Sequence, residues 1–192
     1  MVSPRRPLAP LGALLALAAA LVDCGGGGGG GAAAPPPALS YSDPAAAGYR
    51  LVRDAALSTP THLVLDLVGP GPDSGRGVAF TLALGSGPVG WARVAPGDPQ
   101  YVQNILFDLG AGLPLVKTAI QGQQLLVNVF QKGRGNAKAL AGPICRVALD
   151  DPAPGSGAGA PVPLQVVRFR YLPGTGARLT DGTCTAGTLV AR

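Results

Sequence analysis

Apolar and polar positions alternate with a period of two along most of the chain after residue 48. In GVAFTLAL (77–84), Val78, Phe80, Leu82 and Leu84 fall on one face, with Ala79, Thr81 and Ala83 on the other. In QVVRFRYL (165–172), Val167, Phe169 and Tyr171 point one way and Val166, Arg168 and Arg170 the other. Comparable short runs recur as YRLVRDAAL, THLVLDLV, VGWARV, NILFDL, LVKTAIQ, QLLVNVFQK, PICRVALD and GTLVAR, separated by Gly, Pro and Asp clusters. A two-residue period marks strands with one face on a core, and strands every ten residues or so between turn signals predict an all-β fold, an antiparallel β-sandwich. GPGPDSGRG (69–77) reads as a hairpin loop between two of these strands, and QYVQNILFDLG (100–110) as a helical turn.

Composition agrees with this pattern. The chain has no Glu, and Arg outnumbers Lys twelve to three, so two strong helix formers are scarce beside many Val, Leu and Thr. Glycine (30) and proline (20) concentrate in 24–37 and 151–163, which leaves the remainder free to be globular. Three segments follow: a signal sequence over 1–23, a Gly/Ala/Pro-rich tether over 24–47, and a β-sandwich domain over 48–192. A domain of that size buries roughly 70% of its unfolded surface, enough for a real core.

The first 23 residues have the order of a bacterial export signal. Arg5 and Arg6 precede an apolar stretch from Leu8 to Val22, too short for a spanning helix of about 20 residues. The LVDC that follows (21–24) resembles the lipobox of bacterial lipoproteins, in which the cysteine thiol receives a diacylglyceryl group before cleavage. Leu21 and Val22 suit the pattern, whereas Asp23 stands where the family has a small residue. The resemblance implies Cys24 as the lipidation site and a membrane anchor, with the glycines as a flexible tether and AAAPPPA (32–38) as its stiffer continuation. Gly25, in place of an aspartate that would signal inner-membrane retention, implies the outer membrane. The alternative is ordinary cleavage after AAA (18–20), which releases a soluble periplasmic or secreted protein. Removing residues 1–23 lowers the net charge from +5 to +4, spread along the chain, and no basic stripe with interleaved aromatics marks a nucleic-acid surface.

The layout of residues 61–192 resembles cohesin-like and related carbohydrate-binding-module sandwiches, through THLVLDLVGP, GRGVAFTLALGSGPVGW, AKALAGPICRVALD and DGTCTAGTLVAR. FTLALG lacks the Tyr and Asp of the early strand usual in cohesin-like domains. That resemblance implies a jelly-roll sandwich, with an immunoglobulin-like sandwich as the alternative.

Chemistry-bearing residues are few. Setting Cys24 aside, Cys145 and Cys184 form an even pair in an oxidising compartment and are expected as a disulfide. Its loop of about 40 residues would contribute on the order of 4 kcal/mol. His62 is the only histidine, no Gly-x-Ser-x-Gly elbow accompanies it, and two distant cysteines with one histidine lack zinc-site spacing. The loop at 69–77 lacks the Lys-Ser/Thr ending of a phosphate loop, and no calcium loop occurs. Asp150 and Asp151 are adjacent, which sends their side chains to opposite faces of a strand, and Asp108 and Asp181 read as turn residues. Trp91 and Tyr101 flank the Pro/Gly-rich ARVAPGDPQ and are the candidate ligand-binding aromatics, with Trp91 as a core filler the alternative. Lys132, Arg134 and Lys138 share one loop, FQKGRGNAK. The expectation is a non-enzymatic envelope lipoprotein, without cofactor or metal, whose sandwich binds an envelope protein (an accessory of secretion or pilus machinery among the candidates) or a glycan. The alternatives are a structural envelope lipoprotein without a dedicated ligand and a carbohydrate-binding module.

Overall fold

The computed structural model describes residues 38–45, 47–108, 113–133, 136–156, 159–175 and 178–192; the signal sequence, Cys24 and the glycine run lie outside them. In chain order the strands are β1 (Leu39–Ser42), β2 (Tyr49–Arg53), β3 (His62–Leu84), β4 (Gly90–Trp91), β5 (Val102–Ile105), β6 (Pro114–Gln121) and β7 (Gln124–Gln131). They continue as β8 (Lys138–Asp150), β9 (Pro161–Val162), β10 (Leu164–Pro173), β11 (Thr180–Asp181), β12 (Cys184–Thr185) and β13 (Thr188–Ala191). No helix occurs among the described residues, and the predicted all-β sandwich is the fold observed.

The architecture turns on β3, and here one expectation is corrected. GPGPDSGRG is not a hairpin loop but the bend within a single 23-residue strand. The first half of β3 pairs with β2 and with β8, the second half with β7 and β10, all antiparallel. At the bend the register with β8 slips between Pro70, opposite Ala141, and Ser74, opposite Ala139. Gly71, Pro72 and Asp73 stand opposite the single Leu140, two residues in excess, and such a bulge bends a strand without ending it. Gly77 is obligatory next to the bend: its φ is +147°, and a Cβ there would lie 2.2 Å from the Val129 carbonyl oxygen. The bulge is pinned from β2, where the Tyr49 hydroxyl donates to Asp73 Oδ2 at 2.9 Å.

Both halves of β3 contribute to one core. Leu63, Leu65 and Leu67 meet Cys145, Val147 and Leu149 of β8, while Val78, Phe80, Leu82 and Leu84 meet Leu125, Val127 and Val129 of β7 and Phe169 of β10. The face assigned to GVAFTLAL from its alternation is the buried one. In β10 the alternation breaks: a register shift between Val166 and Arg168 leaves Val167 54% exposed, and Val166 packs against the core instead. One extra residue reverses the parity of everything before it.

Two further segments depart from the sequence reading. QYVQNILFDLG contains a strand, β5, not a helical turn, because the edge of β8 offers Val147, Arg146 and Cys145 as partners for Val102, Asn104 and Ile105. Residues 39–42, placed in the tether, form β1, whose four residues pair with β13. Leu39 and Tyr41 are buried, and the Tyr41 hydroxyl donates to the Leu51 carbonyl at 3.1 Å while accepting from the Gly187 amide. Together β1, β13 and β9 make a small three-stranded sheet.

Candidate functional site: a groove between two strand edges

Among the described strands, β5 has β8 as its one partner and β6 has β7. Each therefore leaves an edge, and between the two lies an open groove of about 360 Å³. Val94, Val102, Ile105 and Val116 supply its apolar lining, with Asp98, Gln100 and Asn104 as polar members. Of the six exposed large apolar side chains, Val94 (43%) lines the groove, Leu115 (42%) and Ile120 (37%) lie on β6, and Leu113 (69%) immediately precedes it. The clustering is what matters, because single exposed apolar residues are ordinary on a protein surface.

Local sequence explains how β6 is held. Gln121 pairs with Gln124 across the two-residue turn Gly122–Gln123, and Gly122 takes the positive φ (+59°) such turns require. In that register Leu115, Lys117, Ala119 and Gln121 exchange backbone hydrogen bonds with β7, so the amides and carbonyls of Val116, Thr118 and Ile120 point away from it. The loop before β5 is fastened to the same strand: Tyr101 N donates to Thr118 Oγ1 at 3.2 Å, and that hydroxyl lies 3.1 Å from Gln100 Oε1.

The aromatics singled out in the sequence do not form an open platform. Tyr101 is only 9% exposed, and the Arg93 guanidinium sits 5.2 Å from its ring centroid. Trp91 is half-buried against the core, its Nε1 donating to the Gln123 carbonyl at 3.3 Å. Of the basic loop, Lys132 is exposed, Lys138 pairs with Asp108 at 3.5 Å, and Arg134 lies outside the described residues.

The expected Cys145–Cys184 disulfide is corrected: both are free thiols. Cys145 lies on β8 opposite Leu67 of β3, whereas Cys184 lies on β12 beside Tyr49 of β2. Two strands, β3 and β2, therefore lie between them in the order of the sheet. A disulfide requires Cα atoms within about 7 Å. Burial raises both thiols, Cys184 to about 12 and Cys145 beyond it, so neither offers a thiolate near neutral pH.

The remaining charged clusters are structural. His62 Nδ1 contacts Asp150 Oδ1 at 2.6 Å on the surface, at the end of the β3–β8 ladder. Asp151 is buried, its Oδ1 accepting from Ala153 N at 3.0 Å, while Asp181 lies 3.6 Å from Arg168. Arg146 is gripped by two carboxylates: Nε to Asp66 Oδ1 at 2.8 Å, Nη2 to Asp66 Oδ2 at 3.0 Å, and Nη2 to Asp54. Its pKa is raised, first by the hydrogen bond to Asp66. No group of three or more metal-ligating side chains occurs among the described residues. Comparison with protein-family models and with curated proteins finds no match for this chain. Sequence reasoning missed the groove, since its walls come from segments that only tertiary pairing sets side by side. The one local signal is LPLVKTAIQ, a strand with apolar residues on both faces.

Proposed function

We propose that this chain is a lipid-anchored envelope protein whose β-sandwich recognises a protein partner in the groove between β5 and β6, without catalysing a reaction. The anchor rests on the lipobox-like LVDC and the polyglycine tether that follows it. The recognition role rests on one observation: the apolar groove flanked by outward-pointing backbone groups of β6. An extended segment of a partner entering there would gain main-chain hydrogen bonds for affinity and side-chain pockets for selectivity. Burial of the exposed leucines and Ile120 would add about 25 cal/mol for each Å² of apolar surface removed from water. A glycan-binding reading needs an open aromatic face, and Tyr101 does not present one.

Two measurements test this reading. Metabolic labelling with a palmitate analogue is expected to mark wild type and not Cys24→Ala; label on neither removes the anchor. A photo-crosslinking residue at position 115 in intact cells is expected to capture one stoichiometric protein, while the same residue at exposed position 167 captures none. Equal capture at both positions, or none at 115, defeats the recognition role.

A further inference from the structure

We propose a second site, independent of the groove: a small cup on the outer face of the β10–β3–β7 sheet that binds a single oxyanion of the phosphate class. Phe80, Val127 and Phe169 face the core, so their neighbours Ala79, Thr81, Asn128, Arg168 and Arg170 face outward. Strand register sets these residues in two rows. Arg170 lies opposite Ala79, which lies opposite Asn128; one step along, Arg168 lies opposite Thr81, which lies opposite Leu126. The central strand has only small outward residues between long neighbours, which hollows out a cup of about 80 Å³. That is far below the roughly 300–1,000 Å³ of sites for organic ligands, and suits one compact ionic group.

The donors fit an oxyanion. Two guanidiniums supply rigid forks matched to phosphate, and the Asn128 amide and Thr81 hydroxyl supply neutral donors from the other two strands. Four donors from three strands converge on one space, an arrangement suited to a tetrahedral ion with acceptors on every side. Arg170 carries the sharpest sign. Its Nε, like those of Arg53 and Arg76, is buried without a hydrogen-bond partner, no ion pair engages its guanidinium among the described residues, and of these three arginines Arg170 is the one that lines the cup. Buried donors are nearly always satisfied, so this one is a polar group left for a ligand. Lys117, opposite Asn128 in register, adds positive charge beside the cup. Among the described residues the acid at the rim is Asp181, opposite Arg170 in register; it is exposed and stands 3.6 Å from Arg168 Nε, longer than a charge-assisted hydrogen bond.

The test is a titration of the ¹⁵N-labelled full chain with inorganic phosphate, following the arginine Nε–H resonances. Arg170 and Arg168 are expected to shift saturably. Arg170→Gln is expected to weaken binding about tenfold or more. Ala79→Val, which keeps both guanidiniums but fills the floor, is expected to weaken it too, whereas Lys132→Gln, an equal loss of charge elsewhere, leaves it unchanged. A second arm uses the full chain carrying Cys24→Ala, so that no acyl chain contributes, with phosphatidylcholine vesicles with and without phosphatidylglycerol. Sedimentation with the phosphatidylglycerol vesicles that Arg170→Gln abolishes supports the cup and names a lipid headgroup. Saturable phosphate binding without vesicle binding supports it and names a soluble phosphate. Shifts that rise linearly, or an Ala79→Val protein that binds as wild type does, overturn it and leave only diffuse positive charge.

Discussion

The two halves of β3 carry arginines beside their outer faces in opposite states. Next to the first half, the Arg146 guanidinium is closed in by the carboxylates of Asp66 and Asp54, and the neighbouring Val64, Ala92 and Ala148 pack into a small apolar cluster of their own. Next to the second half, Arg170 lines an open cup and, among the described residues, makes no ion pair, although the exposed Asp181 lies opposite it in register. The strand is the same and the residue type is the same. What differs is the covering: the Asp54 turn folds over the first half, where Asp54 Oδ1 also accepts from the Ala56 and Leu57 amides. A satisfied arginine belongs to the fold, and an unsatisfied one is available to something else.

That contrast can be broken in order of expected effect. Arg146→Met leaves Asp54 and Asp66 mostly buried without their counter-ion, and is expected to cost about 3–5 kcal/mol in urea unfolding. A loss below 1 kcal/mol would make the network as dispensable as a surface pair. Gly77→Ala forces a left-handed backbone and a clash with Val129 O, and is expected to cost about 3 kcal/mol by the same measurement. Alkaline pH comes next. Burial holds the Tyr41 phenol up to about 12, and Tyr49 is raised further, first by burial and then by its bond to Asp73. Both stay protonated in the fold while the unfolded chain ionises near pH 10, so their stability is complete below pH 10 and is lost as pH climbs through 12. Cys145 and Cys184 act with the same sign from about pH 9. Melting temperature is expected to fall over this window, and Tyr41→Phe to flatten the fall by about 2 kcal/mol at its upper end. Arg170→Gln closes the series: stability within about 0.5 kcal/mol of wild type, set against the large cost at Arg146.

Much of this was legible in the sequence, and the failures share a cause. The buried face of GVAFTLAL and the run of strands from YRLVR to GTLVA follow from local alternation, which depends only on side-chain direction. The bend at 69–77 did not, because Gly and Pro mark both a loop and a bulge. What decides is whether a partner continues alongside, and that partner, β8, lies about 63–73 residues downstream. The inverted parity around Val167 has the same origin in pairing with β3. The disulfide failed because counting cysteines says nothing about which strands lie between them. For the candidate sites, Arg168, Arg170 and the small residues Ala79 and Thr81 were each readable as outward. Their meeting in one cup required the register of strands nearly 90 residues apart. Tyr101 is buried where an open aromatic was expected, and Trp91 packs against the core, the alternative its sequence context already offered.

The pairing of β1 with β13 also governs time. Leu39 lies opposite Ala191, and the Arg192 amide donates to the Ala38 carbonyl at 2.8 Å. During synthesis the first strand has no partner until the last has been made. At about 5–20 residues per second, that is a wait on the order of ten seconds or more. A nascent chain held up late in translation would keep Leu39 and Tyr41 uncovered, and loss of the final few residues would leave the other end of the domain unfastened.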